Sequence, residues 1–274
     1  MNKLILILFS FLLSFTASAQ TYMWKTDVMD GGNTRCKSPA IDNVDECLGT
    51  IVNGRYHAPS GKVYGRRSPV TRTAKVVIDA QPDMARVKEV IAVSDRYMGV
   101  SYPESLLSNW FVDNLMSSVE RLSGKKVDVG VANFGGIRMD MPEGNVILDD
   151  MLSMFPFKNQ VVYVLHKGST LKKMLDDMAA TKFQVLGGMR VVAQDGKIIS
   201  AEIGGEPIDD DKLYGVATIS FLLEGGDNLR LADDAVELTI FDEYVIDAIL
   251  YNVKAETAAG RTLTSEIDGR IKLL

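Results

Sequence analysis

The chain has 274 residues, of which 30 are Lys or Arg and 36 are Asp or Glu, so its formal net charge is −6. Its apolar content of 46% and charged content of 24% are ordinary for a globular protein with a sizeable core. A chain of this charge has no overall attraction for nucleic acid or for an anionic membrane surface. Nucleic acid is therefore not expected as a partner, and a small anionic ligand would need a local basic site.

The first 19 residues predict export. Lys3 gives a positive start, Leu4 to Phe15 form an apolar run broken only by serines, and Ala17-Ser18-Ala19 supply the small residues of a cleavage site. The run has about a dozen residues, whereas a membrane-spanning helix needs roughly 20. We expect residues 1–19 to be a cleavable signal peptide and the mature protein to be periplasmic or secreted, with no membrane span. A retained membrane anchor is the alternative.

Residues 20–82 are interpreted as an N-terminal extension packed on the main domain. Turn signals such as Asn53-Gly54 and Pro59-Ser60-Gly61 divide this segment into short pieces. Tyr56 and Val63-Tyr64 flank one of these turns and predict a hairpin. A cluster of cations is expected to form a solvated basic loop: Arg66, Arg67, Arg72 and Lys75.

The chain has two cysteines, Cys36 and Cys47. They lie close in sequence, and an exported protein leaves the reducing cytosol. We therefore predict a disulfide that closes a short loop, with two free thiols as the alternative. No C-x-x-C pair or zinc-type spacing accompanies them.

Residues 83–274 predict one domain in which helices and strands are mixed. Leu107, Trp110, Phe111, Leu115 and Val119 recur at helical spacing, which predicts a helix over residues 104–122 that ends at Gly124. Further elements follow in chain order: strands at 127–132 and 160–165, a helix at 169–179, a hairpin about Asp195-Gly196, a strand at 214–219, a helix at 243–258 and a strand at 271–274. The fold class is α/β, of the mixed α+β kind, with a mixed β-sheet flanked by helices.

Glycines, a planar cation and aromatic residues occur where several of these elements end. Asn133-Phe134-Gly135-Gly136-Ile137-Arg138 follows a strand, Phe155 to Asn159 follows a short helix, and Phe221 to Asn228 follows another strand. Glycines let backbone N–H groups approach a ligand closely, and an arginine can bind an anion or a base edge through two hydrogen bonds. Two loop phenylalanines can enclose a planar ring between them. Each stretch alone is also typical of an ordinary turn.

In this order the stretches resemble the motifs of the 5′-nucleotidase family, C-terminal domain. Asn133 to Arg138 is similar to its N-x-G-G-I-R motif, and Leu148 to Phe157 to its D-x-L…P-F segment. Four further stretches are also similar to family motifs: Glu104 to Asp113, Lys167 to Lys172, Tyr214 to Asp227 and Asp268 to Ile271. The resemblance covers about residues 85–274, and the ordered set of motifs makes it specific.

The resemblance implies a substrate-binding domain for a nucleotide or nucleoside. Phe157 and Phe221 are expected to stack on the base, and Asn133, Arg138 and Asp227 to contact ribose, base edge or phosphate. Substrate-binding residues are therefore predicted as follows: Asn133, Gly135, Gly136, Arg138, Phe157, Phe221, Gly226 and Asp227.

The resemblance also implies that hydrolysis belongs to a separate metallophosphatase domain with two metal ions. Such a site needs several histidines, and this chain has His57 and His166, neither with a second ligand candidate nearby in sequence. We expect both to be structural or exposed. There is no G-x-S-x-G elbow and no P-loop. No catalytic residue, metal ligand or cofactor is therefore assigned to this chain, and divalent metals are expected only in a partner.

One departure from the family pattern bears on phosphate binding. Family members often carry an arginine shortly before the E-S helix, but here that stretch reads Gly99-Val100-Ser101-Tyr102-Pro103, and the nearest arginine is Arg96. We therefore expect weaker phosphate affinity than in full-length relatives.

Three functions agree with the sequence. The first is the binding half of a split 5′-nucleotidase in nucleotide catabolism that works with a separately encoded metallophosphatase. The alternatives are a free-standing nucleoside-binding protein and a structural or interaction protein that has lost its ligand.

Overall fold

The computed structural model describes residues 43–274. Its N-terminal part is a small three-stranded antiparallel sheet with two helices, in the order α1 (Val44–Leu48), β1 (Thr50–Val52), β2 (Arg55–His57), β3 (Val63–Tyr64) and α2 (Pro69–Asp79). The predicted hairpin is confirmed, because Tyr56 pairs with Tyr64 across β2 and β3.

The predicted basic loop is wrong for two of its four members. Arg72 and Lys75 lie on α2. The sequence builds this helix because Ser68 caps it by accepting a hydrogen bond from the amide of Val70, and Pro69 occupies its first position. None of the described residues before Ala92 belongs to the buried apolar core. Packing of the extension on the main domain therefore stays a prediction.

The rest of the chain forms the main body. Its elements are β4 (Val90–Ser94), α3 (Leu106–Ser123), β5 (Val129–Ala132), β6 (Gly144–Ile147), α4 (Leu148–Met154), β7 (Gln160–Lys167), α5 (Gly168–Ala180), β8 (Val185–Gly187), β9 (Met189–Gln194), β10 (Lys197–Ile203), β11 (Glu206–Pro207), β12 (Leu213–Ile219), β13 (Glu237–Tyr244), α6 (Val245–Ala258) and β14 (Ile271–Leu273).

A five-stranded sheet in the order β13-β7-β12-β5-β8 is the centre of this body. The sheet is mixed, because β12 runs parallel to β5, whereas the other pairs of neighbouring strands are antiparallel. Helices α3 and α6 contact it, and α5 contacts β7 and β10. Strands β5 and β7 are almost continuously apolar because both of their faces are covered. The predicted α/β class with a mixed sheet flanked by helices is confirmed.

Helix α3 forms where the apolar spacing predicted it. Ser105 caps it by accepting a hydrogen bond from the amide of Ser108 at 3.1 Å, and Gly124 ends it in the left-handed conformation at φ 64°. Leu107, Phe111 and Leu115 are fully buried on its inner face. This helix fixes one side of the central sheet.

Two smaller sheets complete the body. Strands β11, β10, β9 and β14 form one sheet in that order, and β4 pairs with β6. The hairpin between β9 and β10 turns at Asp195 and Gly196, both with positive φ, as the sequence predicted.

Several predictions concern residues 1–42 and lie outside the described residues. These are the signal peptide and the position of Cys36. Cys47 is disulfide-bonded, and its predicted pairing with Cys36 stays a prediction. Within residues 43–274, no helix is long and apolar enough to cross a membrane.

Candidate functional site

The turn after β5 is the centre of the candidate site. Asn133 directly follows the strand with 5% of its surface exposed, and residues 134–136 form a single helical turn. The Nδ2 of Asn133 donates a hydrogen bond to Oδ2 of Asp227 at 2.7 Å. This bond joins two of the three predicted stretches, 94 residues apart.

The side-chain oxygen of Asn133 is a buried acceptor without a visible donor, since this Oδ1 has no hydrogen-bond partner among the described residues. A methyl group on Gly136 would lie 2.6 Å from that oxygen, so glycine is needed there to leave the amide in place. A buried unpaired acceptor is uncommon in folded proteins and points to a functional position.

The second stretch joins the same turn through Arg138. The amide of Arg138 donates to the carbonyl of Met154 at 2.9 Å. The guanidinium carbon lies 5.9 Å from the ring centre of Phe157, within cation–π range. Phe155 anchors this stretch in the core, 4.7 Å from the ring of Phe111, whereas Phe157 is 46% exposed.

The third stretch presents Phe221 in the same half-exposed way. Phe221 is 46% exposed while Leu222 and Leu223, which follow it, are buried. A methyl group on Gly226 would lie 2.1 Å from the carbonyl oxygen of Phe221 and 2.7 Å from its ring. Gly226 therefore allows the loop to pack against Phe221. Asp227 adopts a left-handed conformation (φ 47°), which aspartate tolerates better than most residues.

A further pair of loops, which the sequence analysis did not select, borders this turn. The ring of Tyr102 packs edge-on against Phe134 at 5.9 Å, and the ammonium of Lys182 lies 5.3 Å from the centre of the Tyr102 ring. The amide of Phe134 donates to Oε1 of the buried Gln184 at 3.3 Å. No sequence signal indicated these contacts, because they join single residues 32 to 80 positions apart.

Asp140 holds the loop that leads to Tyr102. Its carboxylate accepts hydrogen bonds from the amide of Val100, at 3.1 Å, and from the hydroxyl of Tyr97. The hydrogen bond to Asp140 raises the pKa of Tyr97 above its usual value, and partial burial adds to the shift. Tyr97 is thus a neutral donor at physiological pH.

The candidate site therefore consists of three loops that meet at the ends of β5, α4 and β12. It offers two half-exposed rings, one arginine and one carboxylate. It also contains glycines, whose lack of a side chain lets neighbouring groups lie close to the backbone. Within residues 43–274, no group of three or more His, Cys, Asp or Glu side chains converges as a metal site. His57 is exposed on β2 and His166 is buried on β7.

Comparison with known proteins places this arrangement in a family. The family model of the 5′-nucleotidase C-terminal domain matches residues 66–234. The chain therefore belongs to the 5′-nucleotidase C-terminal domain family. The match begins inside the segment 20–82 that the sequence analysis separates as an extension, and the division at residue 82 stays a prediction.

The chain is similar to parts of longer proteins. It is 31% identical over 148 residues to Silent protein UshA(0) of Salmonella typhimurium, covering 51% of this chain and 27% of that protein. It is 29% identical over 150 residues to the NAD 5′-nucleotidase of Haemophilus influenzae, covering 47% of this chain and 24% of that protein. The chain thus spans about a quarter of the length of these curated relatives.

Solved structures show the same fold at lower identity. A 5′-nucleotidase precursor from Thermus thermophilus matches with a TM-score of 0.65 at 20% identity, covering 80% of this chain and 48% of that one. A sulfate thiohydrolase, SoxB, from Thermus thermophilus matches with a TM-score of 0.55 at 16% identity, covering 82% and 46%. Since proteins named for different reactions share the fold, the ligand must be argued from the site.

Proposed function

We propose that this chain binds the nucleoside part of a nucleotide and acts as the substrate-binding half of a split 5′-nucleotidase. One observation carries the proposal: the Asn133–Asp227 hydrogen bond and the Arg138–Phe157 contact gather three separate loops into one polar and aromatic site. Two half-exposed phenylalanines on those loops match what stacking on a base requires.

Each side chain has a chemical role in this proposal. Phe157 and Phe221 stack on the two faces of the base. Asp227 and Asn133 hold the sugar and the base edge, and the Nδ2 of Asn133 fixes the carboxylate of Asp227. Arg138 binds phosphate. Gly135, Gly136 and Gly226 bring the backbone close to the ligand.

Hydrolysis is assigned to a separately encoded metallophosphatase that supplies the divalent metals. The family membership supports a role in nucleotide catabolism, and the number of histidines limits what this chain can do alone. Export to the periplasm or the medium, where extracellular nucleotides are met, agrees with the N-terminal sequence pattern of residues 1–19.

A free-standing nucleoside-binding protein is the second candidate. It is favoured by the fact that both phenylalanines and the Asn133–Asp227 pair come from one chain, so the site needs no second chain to supply its binding groups. Addition of a purified metallophosphatase encoded in the same genome distinguishes the two: the split enzyme predicts a gain of AMP hydrolysis over the metallophosphatase alone, and the free-standing protein predicts none.

Calorimetric titration of the purified protein with adenosine tests the proposal. We expect micromolar binding that is weakened roughly five- to 150-fold by Phe157→Ala, because a stacked base contributes about 1–3 kcal/mol. Tyr251→Ala, which removes a similarly exposed ring on α6, should leave the affinity unchanged. Metal-dependent nucleotidase activity of the purified chain alone, lost in Phe221→Ala, would refute the split arrangement.

A further inference from the structure

A lysine and a tyrosine form a stack at the border of the candidate site. The ammonium of Lys182 lies 5.3 Å from the centre of the Tyr102 ring, and that ring packs against Phe134 at 5.9 Å. Phe134 belongs to the same turn as Asn133 and Arg138. The stack therefore borders the turn that carries Asn133 and Arg138.

The loop that carries Lys182 is fixed at this place by its neighbours. Phe183 is buried in the core, and the buried Gln184 accepts a hydrogen bond from the amide of Phe134 at 3.3 Å. Tyr102 is held from the other side, since Asp140 binds the amide of Val100 two residues before it. These contacts of the neighbouring residues hold Lys182 beside the turn.

The charge of Lys182 is not neutralised by a carboxylate. Among the described residues it forms no ion pair, and its side chain is exposed. Arg96, the nearest arginine before α3, is engaged by Asp95 through two hydrogen bonds of 3.0 Å each. Lys182 is therefore an uncompensated cation that this border of the site can present to an anion.

We infer that Lys182 and Tyr102 form a phosphate subsite beside the Asn133–Arg138 turn. The inference rests on the proposed function and names the group that meets the anionic end of the ligand. Lys182 supplies the positive charge, and the Tyr102 ring keeps the ammonium over the turn by cation–π attraction. Together, Lys182 and Arg138 make a local basic site in a chain whose net charge is −6.

Paired titrations with AMP and adenosine test the subsite. Lys182→Met should weaken AMP binding about three- to tenfold, as expected for one partly solvated charge on phosphate, and leave adenosine binding unchanged. Lys254→Met, which removes an exposed lysine on α6, should change neither. Tyr102→Leu should also weaken AMP binding, because it removes the ring that holds the ammonium. Tyr102→Phe keeps the ring and should retain AMP affinity.

Salt and free phosphate provide two further readouts. The salt dependence of AMP binding should be shallower in Lys182→Met than in the unmodified protein, because one screened charge is gone. Inorganic phosphate should compete with AMP and not with adenosine; phosphate that binds without weakening AMP would contradict the subsite.

The result that overturns this inference differs from the one that overturns the proposed function. Equal AMP affinity in the unmodified protein and in Lys182→Met, with adenosine binding intact and sensitive to Phe157→Ala, removes the subsite and keeps the nucleoside site. Absence of adenosine binding by the unmodified protein removes the proposed function.

Discussion

At the scale of single residues, two glycines decide where the site side chains can lie. Gly136 leaves space for the amide oxygen of Asn133, and Gly226 leaves space for the carbonyl and ring of Phe221. In both cases the neighbour to be accommodated is itself a proposed binding group. The sequence predicted these glycines as ligand contacts, and the structure adds that they leave space for neighbouring protein groups.

Replacement of Gly226 tests this role directly. In Gly226→Ala, the new methyl group would meet the backbone oxygen of Phe221 at 2.1 Å, so the loop must move and carry Phe221 with it. We expect adenosine affinity to fall about tenfold, a loss within the range of one base stack, measured by calorimetry. Gly65→Ala is the control, because a methyl group there meets no atom within 4 Å. Unchanged affinity in Gly226→Ala would show that Phe221 does not depend on this close approach.

At the scale of elements, the start of α3 is fastened to the closing segment of the chain. The carboxylate of Glu104 accepts hydrogen bonds from the amides of Asp268, Gly269 and Arg270 at 3.0–3.3 Å. The buried guanidinium of Arg270 in turn donates two hydrogen bonds, of 2.7 and 2.8 Å, to the carboxylate of Asp113 on α3. Two motifs that the sequence analysis recognised separately are thus each other's partners, and their role here is structural.

Removal of Arg270 should destabilise the fold. In Arg270→Met, Asp113 and Asp268 lose their common partner, but each is about half exposed and remains solvated. We therefore expect a loss of about 2 kcal/mol in the free energy of unfolding, below the 3–5 kcal/mol of a fully buried pair, measured by urea denaturation.

Arg261 offers the matched control for that measurement. It forms a comparable pair with Glu256, but both side chains are exposed. Arg261→Met should change stability little, because solvent screens such pairs. Equal losses of unfolding free energy in the two variants would show that burial of Arg270 adds nothing to the stability of the contact between α3 and the closing segment.

At the scale of the whole molecule, sequence patterns predicted the elements whose signals are local. The apolar spacing and the Ser105 and Gly124 boundaries define α3, and the Asp195-Gly196 turn defines the β9–β10 hairpin. The prediction missed β13, although its burial alternates along its length. Its acidic residues interrupt the apolar pattern, and its strand character depends on pairing with β7.

The candidate site was predicted only in part for a related reason. Motif resemblance selected Asn133, Arg138, Phe157 and Asp227, and the structure brings their loops together. Tyr102, Lys182 and Gln184 carry no motif, so only the three-dimensional arrangement reveals that they border the same turn. Long-range packing, rather than local preference, determines which isolated residues join a site.

The global stability of the protein should depend on pH through one buried histidine. His166 is 1% exposed, its Nε2 lies 3.1 Å from the carbonyl oxygen of Leu231, and its Nδ1 is unpaired among the described residues. Burial lowers its pKa below 6.5, and hydrogen bonds to backbone oppose this shift only in part. The unfolded chain therefore binds a proton below about pH 6.5 that the folded protein resists, so acidification favours unfolding.

Urea denaturation at several pH values measures this effect. Between about pH 7 and about pH 5.5, the free energy of unfolding should fall by up to about 1 kcal/mol more in the unmodified protein than in His166→Gln, whose side chain does not titrate. Carboxylate titrations are common to both proteins and cancel in the comparison. His57→Gln, a substitution at the exposed histidine of β2, should keep the slope of the unmodified protein. If His166→Gln shows that same slope, the buried imidazole is not the source of the acid sensitivity.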